Sequence, residues 1–179
     1  MTKKQTYVDI LADEFKSLIE TLDMDDVHKR FLHSRWLDQV LWMEGKTNDA
    51  RRWYYTLRLT TIIGGVIIPA LVSLNIGGEA AAWMRWSVFV ISLLVAISTA
   101  MEEFFHYGDR WRHYRQTVEM LKSEGWQFFQ LAGNYRRYQT HTQAYARFAS
   151  RVEEISQEDV LVYISKVVEE KDTHEDSED

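Results

Sequence analysis

The chain has 179 residues, with 21 Lys and Arg against 27 Asp and Glu, a formal net charge of −6. That balance argues against nucleic acid as the principal partner, because phosphate binding needs a net basic surface. The absence of cysteine removes disulfides, thiolate nucleophiles and cysteine-type zinc sites, and it leaves the redox compartment open. One proline and 8 glycines point to long uninterrupted helices. The mean hydropathy of −0.34 looks soluble, but the apolar residues are concentrated in two segments.

The elements follow in chain order. In residues 1–23, Ile10, Leu11, Phe15, Leu18, Ile19 and Leu22 recur at helical spacing and predict an amphipathic helix from Thr6 to Leu22. Asp23 followed by Asp26 resembles a capping box, and it opens a cytoplasmic helix over 24–58 that leads into a membrane span. From Met24 to Ile76 Gly45 is the only breaker ahead of the apolar run, so one helix on the order of 75 Å is expected.

The first apolar run, LTTIIGGVIIPALVSLNI over 59–76, carries no charge and reaches the length of a spanning candidate. Small residues recur every four along it, at Thr61, Gly65, Pro69 and Ser73. Such a stripe lets backbones approach closely in lipid, and Pro69 predicts a kink or hinge. A short external loop is expected over 77–84. The second span, 85–103, contains WSVFVISLLVAISTAM and ends on Glu102 and Glu103. Neither run is N-terminal, so a secretory signal is not expected.

The flanks support this reading. Trp53, Tyr54 and Tyr55 precede the first run. Trp83 and Trp86 precede the second, and Phe104, Phe105, Tyr107 and Trp111 follow it, in the pattern of interfacial aromatic belts. Arg51, Arg52 and Arg58 lie before the first span and Arg110, Arg112 and Arg115 after the second, whereas the connection between them carries only Arg85, at the loop's edge. The positive-inside rule then places both termini in the cytoplasm.

Over 104–132, Trp111, Tyr114, Val118, Leu121, Gly125, Phe128 and Ala132 form one helical face. It is expected to pack on Val27, Phe31, Leu37, Val40 and Leu41. Arg112, Arg115, Glu119, Lys122 and Glu124 are expected to pair with Arg35, Asp38, Lys46 and Asp49. Gly133-Asn134 reads as a stop. Over 133–170 two helices are expected, one from Tyr138 to Ile155 and one opened by a capping box at Ser156 and Asp159. The acidic tail, 171–179, has the composition of a disordered segment. The fold class is therefore an all-α membrane protein, a transmembrane hairpin continuing into long cytoplasmic helices.

Several residues form a set. Arg35-Trp36, Trp42 and Lys46 precede the first span, and Pro69 and Glu102/Glu103 follow. Then come the W-x-x-Y-R-x-T-x-E-x-L-x-x-E run from Trp111 to Glu124, Gly133-Asn-Tyr135, and Arg151-Val-Glu153. Over Arg35 to Glu158 the chain resembles the bacterial two-transmembrane SLATT superfamily, in its branch of unknown function. The resemblance implies a helical hairpin with cytoplasmic extensions. For the superfamily it also implies a proposed pore-forming effector role, often beside nucleotide-sensing proteins in bacterial conflict systems. No nucleotide-sensing segment is visible in this sequence.

Enzyme chemistry finds little support. Glu103-Phe-Phe-His106 has the E-x-x-H spacing of di-iron bundles, which need two such motifs and further carboxylates. His106, Asp109 and His113 share a side of the chain, but Gly108 interrupts it. No metal, cofactor or catalytic residue is therefore expected. A pore fits better. Ser87, Ile91, Leu94, Ser98 and Glu102 form one face of the second span, with Ser92, Thr99 and Glu103 beside it. Two helices cannot enclose water, so a homo-oligomer around an axis is required. A ring of Glu102 or Glu103 at its mouth would favour inorganic cations. The expected partners are thus the lipid bilayer, further copies of the chain and cations, in a bacterial inner membrane. The competing expectation is a non-conducting anchor whose stalk docks a cytoplasmic protein through Trp126, Phe128 and Phe129.

Overall fold

A computed structural model describes residues 6–74, 78 and 80–175, and of 162–175 the backbone alone. Every regular element among these residues is helical. They are α1 (Tyr7–Thr21), α2 (Asp26–Phe31), a π-helical segment (Leu32–Leu37), α3 (Asp38–Ser73), α4 (Ala80–Phe105), α5 (Tyr107–Phe129), a short 3₁₀ turn (Gly133–Tyr135) and α6 (His141–Glu175). The chain divides into two units. One comprises residues 1–45 and 115–179, the other residues 46–114.

In the first unit, the Thr6 amide donates to the Asp9 carboxylate at 3.0 Å and starts α1. Leu11, Phe15 and Ile19, four apart, are buried on one face. The π-helical segment adds a residue to the turn, which turns both Trp36 and Leu37 into the core. Gly125 admits the Trp36 ring, since a Cβ there would lie 2.1 Å from its Cζ2. The Trp36 indole N–H donates to the Leu121 carbonyl at 3.0 Å and fixes this register. Phe128 stacks on Phe148 of α6 at 4.4 Å, and Phe15 meets Trp36 edge-on at 5.0 Å.

The expected α5 face is thus present through Val118, Leu121, Gly125 and Phe128, with Leu37 and Val40 in the same core and Phe31 and Leu41 packed against it. Val27 is not part of it and is 74% exposed. After α5, Leu131 and Gly133 take positive φ, at 46° and 52°, which closes the helix where Gly133-Asn134 predicts a stop.

Three boundaries differ from expectation. The capping-box candidate at Asp23 gives way to Asp25 as the residue preceding α2. The second span does not continue straight into α5, because α4 ends at Phe105 and His106 adopts φ 48°. No helix starts at Ser156. Its hydroxyl donates back to the Val152 carbonyl at 2.8 Å inside a continuous α6 that runs to Glu175, into the stretch expected to be disordered. Residues 176–179 lie outside the described residues, as do Asn75–Gly77 and Glu79 of the expected loop.

In the second unit, two helices are long and apolar enough to cross a membrane. Only 11% of the apolar window in Asp26–Ser73 and 6% of that in Ala80–Phe105 is buried. A core helix of a soluble bundle would be mostly covered.

Candidate functional site

Near its C-terminal end α4 carries Glu102, half-buried, and Glu103, exposed. His106 joins α4 to α5. Its amide donates to the Glu102 carbonyl at 3.0 Å, and its carbonyl accepts from the Asp109 and Arg110 amides at 3.1 Å each. The left-handed backbone is costly for a residue with a Cβ, and these three bonds hold it. Gly108 follows because nothing larger fits. A Cβ there would sit 2.9 Å from Tyr54 Cε2 and 3.5 Å from Glu102 Oε1. Tyr54 stacks on Trp111 and Trp53 on Tyr107, each pair 6.0 Å apart.

Around this junction Tyr54, Arg58, Glu102, Glu103, His106, Gly108, Asp109 and Arg112 line a cleft of about 280 Å³. Arg112 pairs with Asp109 at 3.3 Å. Among the described residues Arg58, Glu102 and Glu103 form no ion pair, although both signs of charge line the same cleft. No group of three His, Asp or Glu among the described residues could hold a metal ion.

The expected polar face of α4 is divided. Gly64 of α3 meets α4, and a Cβ there would lie 2.1 Å from Val95 Cγ2 and 3.7 Å from Ile91 Cγ2. Ile91, Val95, Ser98 and Glu102 recur at three or four residues on that side. Ser98 is buried and Ile91 half-buried. Ser87, Leu94, Thr99 and Glu103 remain exposed. Ser87 and Thr99 return their hydroxyls to the Trp83 and Val95 carbonyls at 2.9 and 3.0 Å.

The small-residue stripe is likewise shifted by one position. Leu57 and Gly64 are buried, whereas Gly65, Pro69 and Ser73 are exposed and Thr61 is half-buried. A Cβ at Gly65 would meet nothing within 4 Å. The reason is phase. Two glycines in succession offer two close-approach lines, and only the α4 partner selects one.

Residues 38–143 match DUF4231, a family described as a protein of unknown function. The match covers more than half of the chain. The chain belongs to the DUF4231 family. No curated protein and no solved structure matches it.

A second cluster, all but Arg151 of it within the DUF4231 match, is in the unit of residues 1–45 and 115–179. Glu44, fully buried, accepts from Lys122 Nζ at 3.1 Å and lies 3.6 Å from Arg115. Glu119 lies 2.8 Å from Lys122 and 2.7 Å from Arg115. Burial alone would push the Lys122 ammonium down; hydrogen bonds to Glu119 and Glu44 outweigh it and hold it above its ordinary value. Glu124, also buried, accepts a short hydrogen bond from the Tyr135 hydroxyl and lies 3.8 Å from Arg151 Nε. Burial, and then Glu124, holds the Tyr135 hydroxyl well above the ordinary tyrosine range.

The ion pairs thus differ from those expected. Arg35, which precedes the DUF4231 match, reaches α6, where its guanidinium donates to both Glu153 oxygens at 2.7 and 2.8 Å. The α3 acid that meets Arg115 and Lys122 is Glu44, not Asp38 or Asp49. A signal for it exists, since Trp36, Val40, Glu44 and Thr47 follow the core spacing and place one carboxylate on an apolar face. The aromatics assigned to docking also separate. Phe128 is fully buried, Phe129 packs against the core, and Trp126 is 36% exposed.

Proposed function

We propose that this DUF4231 chain is a two-transmembrane protein of the SLATT type, which assembles as a homo-oligomer in the bacterial inner membrane and conducts cations. The carrying observation is the sparse cover of the two apolar windows, 11% and 6% buried, together with a polar line on one shoulder of α4, half-buried at Ser92 and exposed at Thr99 and Glu103. Ser92, Thr99 and Glu103 follow at seven and four residues, so they share one side of the helix. That side lies next to the face that meets Gly64 and away from the wholly apolar one bearing Phe89, Leu93 and Ile97. Copies arranged around an axis would turn this shoulder inward, lipid would cover the apolar face, and a ring of Glu103 would stand at the mouth. The arginine asymmetry puts both termini, and the helices bearing the buried charges, in the cytoplasm.

The test is current in planar bilayers from protein whose oligomer mass is measured in the same detergent. Discrete cation-selective steps are expected, with selectivity weakened in Glu103→Gln and largely kept in Glu102→Gln. A silent monomer, or selectivity unchanged by Glu103→Gln, rules out the assigned ring.

A further inference from the structure

The cleft at the α4–α5 junction contains opposite charges that do not neutralise each other. Glu102 lines it, close enough to Gly108 that an added methyl would lie 3.5 Å from Oε1. Arg58 faces the same space, and neither has an ion-pair partner among the described residues. Arg112 is already tied to Asp109, yet its guanidinium keeps further donors. At about 280 Å³ the cleft is at the small end of ligand sites, too small for a nucleotide-sized molecule and suited to a compact polar group. Its neighbours Trp53, Tyr54, Tyr55, Tyr107 and Trp111 form an aromatic cluster at the end of the apolar helices, where amphipathic rings meet headgroups.

We propose that this cleft binds the zwitterionic headgroup of an aminophospholipid, Glu102 taking the primary ammonium and Arg58, with Arg112, the phosphate. A zwitterion supplies a partner for Glu102 and for Arg58 at once. A purely anionic headgroup would meet the Glu102 carboxylate without compensation. A trimethylammonium group has no N–H to donate to it. The preference is therefore for phosphatidylethanolamine over both phosphatidylcholine and phosphatidylglycerol. The inference rests on the membrane-spanning reading and not on conduction, since Glu102 lies on the α3 side of α4 and Glu103 beside it.

The full chain would be reconstituted into vesicles holding the three lipids with matched acyl chains, floated, re-extracted, and its retained lipid weighed by native mass spectrometry. Phosphatidylethanolamine should be enriched about tenfold over phosphatidylcholine, the factor one charge-assisted hydrogen bond supplies. Glu102→Gln and Arg58→Gln should each abolish the enrichment, and Arg85→Gln, near the other end of α4 and outside the cleft, should keep it at equal oligomer mass. Equal retention of the lipids, or enrichment surviving Glu102→Gln, overturns the proposal. So does stabilisation by water-soluble glycerophosphoethanolamine as strong as by the lipid. Failure to float overturns the membrane reading as well, whereas a silent bilayer record bears only on the pore.

Discussion

Glu44 and Lys122 form the most constrained ionic contact in their unit. Both are nearly inaccessible, at 2% and 7% exposure, so neither can be rescued by water. Lys122→Met leaves Glu44 with only Arg115 at 3.6 Å, and breaking such a pair on one side costs about 3–5 kcal/mol. The double variant Glu44→Leu/Lys122→Met removes both charges and should recover most of that loss in chemical denaturation of the full chain. Arg115 and Glu119 still pair with each other in it, at 2.7 Å. No recovery in the double variant would mean that the contact acts through more than charge.

Tyr135 makes a second prediction at the same scale. Its hydroxyl is the buried hydrogen-bond donor to Glu124, so Tyr135→Phe should cost about 1–3 kcal/mol at neutral pH. The pH dependence has a definite sign. Folding raises this hydroxyl above its ordinary pKa, so the unfolded chain loses the proton first as pH rises. The stabilisation is whole below about pH 10 and declines above it. Thermal melts of the wild type should therefore fall from about pH 10 upward, and those of Tyr135→Phe should fall less steeply. Parallel curves would remove Tyr135 from the alkaline limb.

Among the elements, α3 and α4 meet at a glycine whose neighbour is also glycine. Gly64 faces Val95, with no room for a Cβ, and Gly65 faces open space. Gly64→Leu should open the hairpin and change the oligomer mass in detergent, while Gly65→Leu should leave it as it is. Equal effects would place the α3–α4 contact elsewhere. The α4–α5 junction follows a different rule. His106 bears the strained backbone, φ 48°, and Gly108 two residues later gives the close approach to Tyr54. Sequence reading singles out Gly108 as an interruption, because glycine is the usual breaker. The break falls instead on a histidine, whose positive φ is held by three backbone bonds that no local preference announces.

For the whole molecule, DUF4231 membership gives a family and no activity, so the functional reading rests on the hairpin. Both apolar helices leave most of their windows uncovered within one chain. Lipid can cover the apolar face of α4, but not the shoulder bearing Thr99 and Glu103 at equal ease, because polar groups in hydrocarbon are costly. The proposed homo-oligomer with that shoulder inward would meet both demands, and the conductance measurement with Glu103→Gln tests it. Under the proposed reading Glu102 and Glu103 would have separate tasks, one against the α3 side and the headgroup cleft, the other toward the axis.

The sequence by itself determined the helical class, the two apolar runs, the amphipathic α1 and the core face of α5. Each of these follows from period and length along one strand of chain, a property of neighbours three and four residues apart. It also placed the aromatic clusters and the arginine asymmetry. Only the tertiary structure decided which glycine of a pair meets α4, and that Glu44 rather than Asp38 or Asp49 meets Lys122. It alone turned Phe128 inward from a docking surface, and it divided one polar stripe between a packed side and an open one. These depend on rotation of one helix against another. A one-residue change of phase turns a side chain by about 100°, from contact to solvent, and the chain's own periodicity leaves that angle free.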